Sequence, residues 1–368
     1  MRLSVPVIPL LFAPYLAAQQ APKPDLQWIE PPNSQLEVDG LPWYGENHGE
    51  WVRLPLRIKD VVRRPVWELA TSPSGGRIRF RTDSSSLSVR LEYPEVPHMQ
   101  NMHAFGQSGV DLYADGVYRG TAVADAEAKP GKVYEHSYYS GRPRVERDIT
   151  IYLPLYMGVK VLGIGLDREA QLRAAKPFAL GKPVVFYGTS ITQGGCASRP
   201  GMSYQAIVGR MLNLDHVNLG FSGNGRGEPE MAQAVAEIDA SCFVLDFAQN
   251  NPTPESLEEV YAPFLETLRA KHAETPIIVI TPIYTAWESW GSVARLDNMR
   301  RIIRLAAARR IAAGDTHLQI VEGTDLLGPN DDGGLVDGTH PNDLGFQRMA
   351  ERLAERLRKV LALGNAER

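Results

Sequence analysis

Only two cysteines, Cys196 and Cys242, occur among 368 residues, too few for a disulfide-built scaffold. An excess of either charge is also missing: 39 Lys and Arg stand against 43 Asp and Glu, a formal net charge of -4. That balance provides no electrostatic footprint for nucleic acid or for an anionic membrane surface. No internal repeat or low-complexity tract occurs. Long apolar runs are absent beyond the N-terminus. There, Met1-Arg2 precedes an apolar stretch over residues 3–18, broken by Pro6, Pro9 and Pro14 and ending on Ala17 and Ala18. A membrane span needs about 20 apolar residues. Residues 1–18 therefore read as a secretory signal peptide, which predicts an exported protein, periplasmic or secreted, with no membrane span in its mature form.

What is present is apolar content of 43%, enough for two moderate cores. Residues 25–176 show no sustained helical periodicity. Short alternating runs appear instead: Arg77-Ile78-Arg79-Phe80-Arg81, Leu87-Ser88-Val89-Arg90-Leu91 and Asp148-Ile149-Thr150-Ile151-Tyr152-Leu153. Each places its apolar side chains on one face, the period of a half-buried antiparallel strand. Asp115-Gly116, between two such runs, is a hairpin signal. The pattern predicts a β-sandwich of jelly-roll type.

From residue 182 to 368 strands and helices alternate. Val184-Val185-Phe186-Tyr187, His216-Val217-Asn218-Leu219, Cys242 to Phe247, Ile277-Ile278-Val279-Ile280 and Leu318-Gln319-Ile320-Val321 read as buried strands. Helices are expected between them, one capped by Thr253-Pro254 and one running from about Ser292 to Arg310. Five such strands predict an α/β fold with a five-stranded parallel sheet covered on both faces. Cys242 then opens a strand while Cys196 follows the far end of another. A separation on the order of 15 Å follows, against the ~7 Å that a disulfide tolerates. Two free thiols are expected.

In a parallel sheet the segments after the strands gather at one edge, where open α/β sheets bind ligands. These segments bring Ser190, the turn Gly220-Phe221-Ser222-Gly223-Asn224-Gly225, Gln249-Asn250-Asn251, and Asp337 with His340. Acyl transfer uses this set. A serine hydroxyl needs a base, here His340; the base needs an orienting carboxylate, here Asp337. The oxyanion needs donors, for which the backbone N–H groups of Ser190 and Gly223 and the Asn250 side chain are candidates. Tyr284, Trp287 and Trp290 follow the fourth strand and should overhang the same edge, either contacting substrate or packing the loop down. Arg199 and Arg226 read as surface ion pairs, Cys196 as a packing residue, and Asn330-Asp331-Asp332-Gly333-Gly334 as a solvated turn lacking calcium-loop spacing. His98, His103 and His136 show no metal-ligand spacing.

At these residues the second half resembles the SGNH/GDSL hydrolase superfamily. Its first block matches as Gly188-Thr189-Ser190-Ile191-Thr192, with Thr189 in place of the usual Asp. The second matches as Asn218-Leu219-Gly220-Phe221-Ser222-Gly223, and the last as Asp337-Gly338-Thr339-His340-Pro341. In the looser third block, Asp246-Phe247-Ala248-Gln249-Asn250-Asn251, the family register favours Asn250, with Asn251 as fallback. The β-rich first half is similar to the N-terminal sandwich of a two-domain exported esterase subgroup. The resemblance implies a flavodoxin-like α/β/α SGNH hydrolase domain over 182–368, after a sandwich over 25–176. It implies catalytic Ser190, His340 and Asp337, an oxyanion hole of Ser190, Gly223 and Asn250, and no metal or other cofactor. The expected function is a serine esterase removing short acyl groups, acetyl foremost, from acylated carbohydrate or another small ester. A lipase or thioesterase for longer chains, an acyltransferase, and a carbohydrate-binding protein with a degenerate hydrolase domain are the alternatives.

Overall fold

A computed structural model describes residues 25–291 and 293–364, and the expected signal peptide at 1–18 lies outside the described residues. The alternation in the first half produces two antiparallel sheets. One is ordered Leu26–Ile29, Lys160–Asp167, Leu87–Glu92, Val133–Tyr139. The other runs Leu172–Arg173, Arg77–Thr82, Arg147–Tyr152, Val110–Ala114, Val117–Ala122, with Glu37–Asp39 also paired to Arg77–Thr82. Ile78, Phe80, Val89, Leu112, Ile149 and Ile164 are buried in one cluster between the sheets. Two short helices, Arg64–Ala70 and Ala104–Ser108, depart from the all-strand expectation. At five to seven residues they are too short to print a helical period.

The polar face of Arg77–Thr82 is a second departure. Alternation suggested a solvated face, yet Arg77 and Arg79 are only 2% and 5% exposed. Arg77 donates to the His216 carbonyl at 3.0 Å and pairs with Asp215, while the Arg79 guanidinium covers the Phe178 ring. The arginine face is therefore the surface on which the second half sits.

That second half is a five-stranded parallel sheet ordered His216–Gly220, Val184–Gly188, Cys242–Asp246, Ile277–Ile280, Leu318–Val321. Successive strand residues feed opposite faces. Val185, Tyr187, Phe243 and Leu245 pack towards helices Pro229–Ala236, Pro254–Lys271 and Ala294–Ala312. Val184, Phe186 and Val244 pack towards Tyr204–Leu212 and Asp343–Val360. Thr253 caps its helix in a reciprocal box with Ser256. Both cysteines are free and buried. Among the described residues no helix is long and apolar enough to cross a membrane.

Arg53 joins the halves. Fully buried, it donates to the carbonyls of Ser72 and Leu69 on one side, and of Asn218 and Gly220 on the other. Its guanidinium carbon also lies 4.6 Å from the Phe221 ring centre.

Candidate active site

The strand order reverses between Val184–Gly188 and Cys242–Asp246, and a crevice opens outside the carboxyl ends of strands at such a point. Val184–Gly188 delivers Ser190 there. Thr189 caps the short helix Ser190–Gln193 by accepting from the Ile191 N–H at 3.3 Å. Ser190 is the first helical residue, so its own N–H has no intrahelical partner. The side chain is 8% exposed, and its Oγ lies 2.8 Å from His340 Nε2.

His340 reaches Ser190 through a tight loop in which the Val336 N–H donates to the His340 carbonyl at 2.8 Å. Its Nδ1 lies 2.8 Å from Asp337 Oδ2. Asp337 Oδ1 accepts from the backbone N–H groups of Thr339 at 3.1 Å and His340 at 2.9 Å. Burial works to raise the Asp337 pKa, but the His340 N–H, the imidazole and the Asn101 amide together hold it well below the usual carboxylate range. A carboxylate only accepts, so Nδ1 carries the proton and Nε2 is left to accept from the serine hydroxyl.

The second turn is bound to the serine helix. Asn218 donates to the Thr192 carbonyl at 2.8 Å, and Gln193 Oε1 accepts from the Ser222 N–H at 2.9 Å. Gly220 permits this approach, because a Cβ there would lie 2.1 Å from the Gln193 nitrogen. Gly223, at φ 67°, is in the left-handed region that favours glycine. From the third strand, Asn250 accepts from the Gly225 N–H through Oδ1 at 3.2 Å, leaving its NH2 for another partner. Asn251 is 2% exposed with an unpartnered Nδ2 and does not line the cleft.

A cavity of ≈ 520 Å³ opens over Ser190 and His340. Gly223, Asn250, Gln249, Thr285, Trp287 and Arg295 form much of its wall. Of the three aromatic candidates only Trp287 lines it, with its Nε1 3.2 Å from Thr339 Oγ1. Tyr284 does not line it, and Trp290 stands 86% exposed outside. Donor atoms of Cys196, Asp337 and His340 all lie within 4.8 Å of one another, the one such metal-ligating group among the described residues. Asp337 and His340 are already bonded to each other, and burial together with the Asp337 charge raises the Cys196 thiol to about 12.

Several residues carry more than the sequence disclosed. Asp246, fully buried under the serine helix, accepts from Thr192 Oγ1 and the Tyr204 hydroxyl at 3.3 Å each, and burial raises it to about 7. Arg199 does form the expected ion pair, but with Asp111, which is 0% exposed and also accepts from the Gly201 N–H at 2.8 Å. Arg226 departs from the expected ion pair: half-buried, it meets no carboxylate among the described residues and donates to the Gly223 carbonyl at 3.3 Å. Asp331 corrects the reading of a solvated turn: it is 8% exposed and held by Arg348 at 2.9 Å and Arg352 at 2.6 Å. The two arginines come from the last helix, which local sequence could not reveal.

Residues 181–358 match the GDSL-like lipase/acylhydrolase family, and residues 26–172 match a family described as the N-terminus of SGNH-hydrolase-type esterases. The latter family's name, GxDLY, is spelled here by Gly109-Val110-Asp111-Leu112-Tyr113, which holds the Asp111 that binds Arg199. A GDSL-like lipase of Bacteroides ovatus is 32% identical, with TM-score 0.81 over 92% of this chain and 98% of that one. A salicylyl-acyltransferase from a tetracycline biosynthetic pathway shares the fold at 21% identity and TM-score 0.76, covering 93% of this chain and 98% of its own. An acetyl xylan esterase from the rumen bacterium Butyrivibrio proteoclasticus does so at 13% and 0.62, covering 92% and 99%. No curated protein matches. The chain belongs to the GDSL-like lipase/acylhydrolase family, with the SGNH fold behind an N-terminal antiparallel domain, and is a carboxylic ester hydrolase.

Proposed function

We propose that this hydrolase is an exported esterase that removes short acyl groups, acetyl foremost, from carbohydrate. It works through an acyl-enzyme on Ser190. The observation that carries the reading is the relay from Ser190 Oγ to His340 Nε2 at 2.8 Å and from Nδ1 to Asp337 at 2.8 Å, beneath a cavity of ≈ 520 Å³. Ser190 Oγ attacks the ester carbonyl as His340 Nε2 takes its proton, and Asp337 stabilises the imidazolium. The oxyanion receives the N–H groups of Ser190 and Gly223 and the free NH2 of Asn250. Collapse expels the alcohol, which leaves with the proton from His340. Water then repeats the sequence and releases the acid.

Gln249, Thr285, Arg295 and Thr339 set hydrogen-bonding groups beside the Trp287 ring, a combination that a hydroxylated ring can use. The fold shared with an acetyl xylan esterase supports the same choice. Export rests on the signal-peptide pattern of residues 1–18, and the catalytic unit is assigned to 182–368 behind a sandwich over 25–176. A panel of acetylated polysaccharides, with Ser190→Ala as blank, tests the substrate: acetate release is expected. Activity on p-nitrophenyl esters that climbs from acetyl to octanoyl would instead favour a lipase. The fold shared with an acyltransferase motivates one second reading, transfer to a sugar hydroxyl; a transacylated product on adding acceptor would establish it.

A further inference from the structure

The antiparallel domain reaches the reacting centre. Asn101, on the loop between Leu87–Glu92 and Ala104–Ser108, donates from Nδ2 to Asp337 Oδ2 at 3.1 Å, across 236 positions of sequence. We propose that Asn101 is a positioning residue for the ester hydrolysis, fixing the Asp337 carboxylate so that His340 points at Ser190. This rests on the Ser190–His340–Asp337 reading.

The argument begins with the acceptor sites of Asp337. Its Oδ1 is taken by two backbone N–H groups, and its Oδ2 faces the imidazole. The side chain is 33% exposed, so the remaining position on Oδ2 would otherwise belong to exchanging water. Asn101 fills it with a donor that the protein holds still. What holds it is Gln107, 3% exposed, which accepts from the N–H groups of His98 and Met99 at 2.9 Å each. Gln107 also donates to the carbonyls of Met99 at 3.2 Å and Met102 at 2.6 Å. One buried amide thus satisfies four backbone groups of the loop, an arrangement that specifies a single loop shape. Met102 is buried in the hydrolase core, which pins the loop from the other side. The Gln107 backbone carbonyl accepts from the Tyr156 N–H at 3.1 Å, and the Tyr156 hydroxyl donates to the Ser190 carbonyl at 3.2 Å. Both ends of the relay are therefore touched by the antiparallel domain, from two segments joined at Gln107.

The test compares Asn101→Ala and Asn101→Asp with the wild-type chain on p-nitrophenyl acetate, across pH, alongside thermal melts. Asn101→Ala is expected to lower kcat about tenfold, as for a slightly misaligned base, with KM and melting temperature unchanged because Asn101 lies on the exposed rim. Asn101→Asp sets a second carboxylate beside Asp337 and favours the imidazolium. The acid limb of kcat/KM should move up by about one pH unit. The other titratable neighbours of Asp337 are His340 and Cys196, and the Cys196 thiol stays neutral there. A wild-type kcat in Asn101→Ala, or an unmoved acid limb in Asn101→Asp, overturns the proposal. Ser190→Ala and Asp337→Ala in the same assay separate the two failures. If both are impaired while the Asn101 variants are normal, only the role of Asn101 falls. If Ser190→Ala stays active, the catalytic reading falls and this proposal with it.

Discussion

Asn250 and Asn251 are neighbours with the same side chain, and the fold gives them opposite surroundings. Asn250 faces the cavity with an amide to spare; Asn251 is enclosed. Asn250→Ala is therefore expected to lower kcat by about 10²–10³ with little change in KM, the cost of one oxyanion donor. Asn251→Ala should act on stability instead; steady-state kinetics and melts on both variants check the pair. Asp246 supports a pH prediction. Burial raises it to about 7, so between about pH 4 and 7 the folded chain keeps a proton that the unfolded chain releases. Its contribution is full below pH 4 and drains as pH rises through 7, by up to ~4 kcal/mol. Chemical denaturation across that range should show this decline in the wild type relative to Asp246→Asn, where it is absent. Asp337 behaves oppositely: its lowered pKa means that its contribution persists above about pH 4 and is lost only on further acidification.

Among the elements, the loop after Ile277–Ile280 divides its tryptophans. Trp287 forms a wall of the cavity, and Trp290 projects into solvent. Trp287→Ala should raise KM for an acetylated oligosaccharide about tenfold, the loss of one aromatic contact, while Trp290→Ala leaves KM as it was. Michaelis–Menten kinetics on the same substrate decides it. The buried strands were legible because runs such as Ile277-Ile278-Val279-Ile280 have no other home than a sheet covered on both faces. Their order at the edge then followed from parallel topology, which is why Ser190, Asn250 and His340 could be brought together from sequence. Which way a ring turns on a loop has no such periodicity, and Tyr284 and Trp290 therefore read like Trp287. Asn101 and Asp331 were illegible for a related reason: each owes its surroundings to hydrogen bonds over distances local pattern does not encode.

At the scale of the whole molecule, the halves share buried charge. Arg53 spans four carbonyls, Arg77 pairs with Asp215, and Arg199 with Asp111. Alternation marked Arg77 as solvent-facing because it records one sheet face and cannot see a partner packed on the other. Burial lowers the Arg53 guanidinium to about 9, still charged at neutral pH. Arg53→Met should cost at least about 3 kcal/mol, since it strips charged donors from buried carbonyls. Calorimetry is expected to show one unfolding transition in the wild type; two separated transitions would mean that the halves stand independently.

The most direct test of the account is kcat/KM of Ser190→Ala on p-nitrophenyl acetate, measured on protein with wild-type melting behaviour. The relay through His340 and Asp337 predicts a fall of about 10⁴ or more. Activity within tenfold of wild type would contradict it.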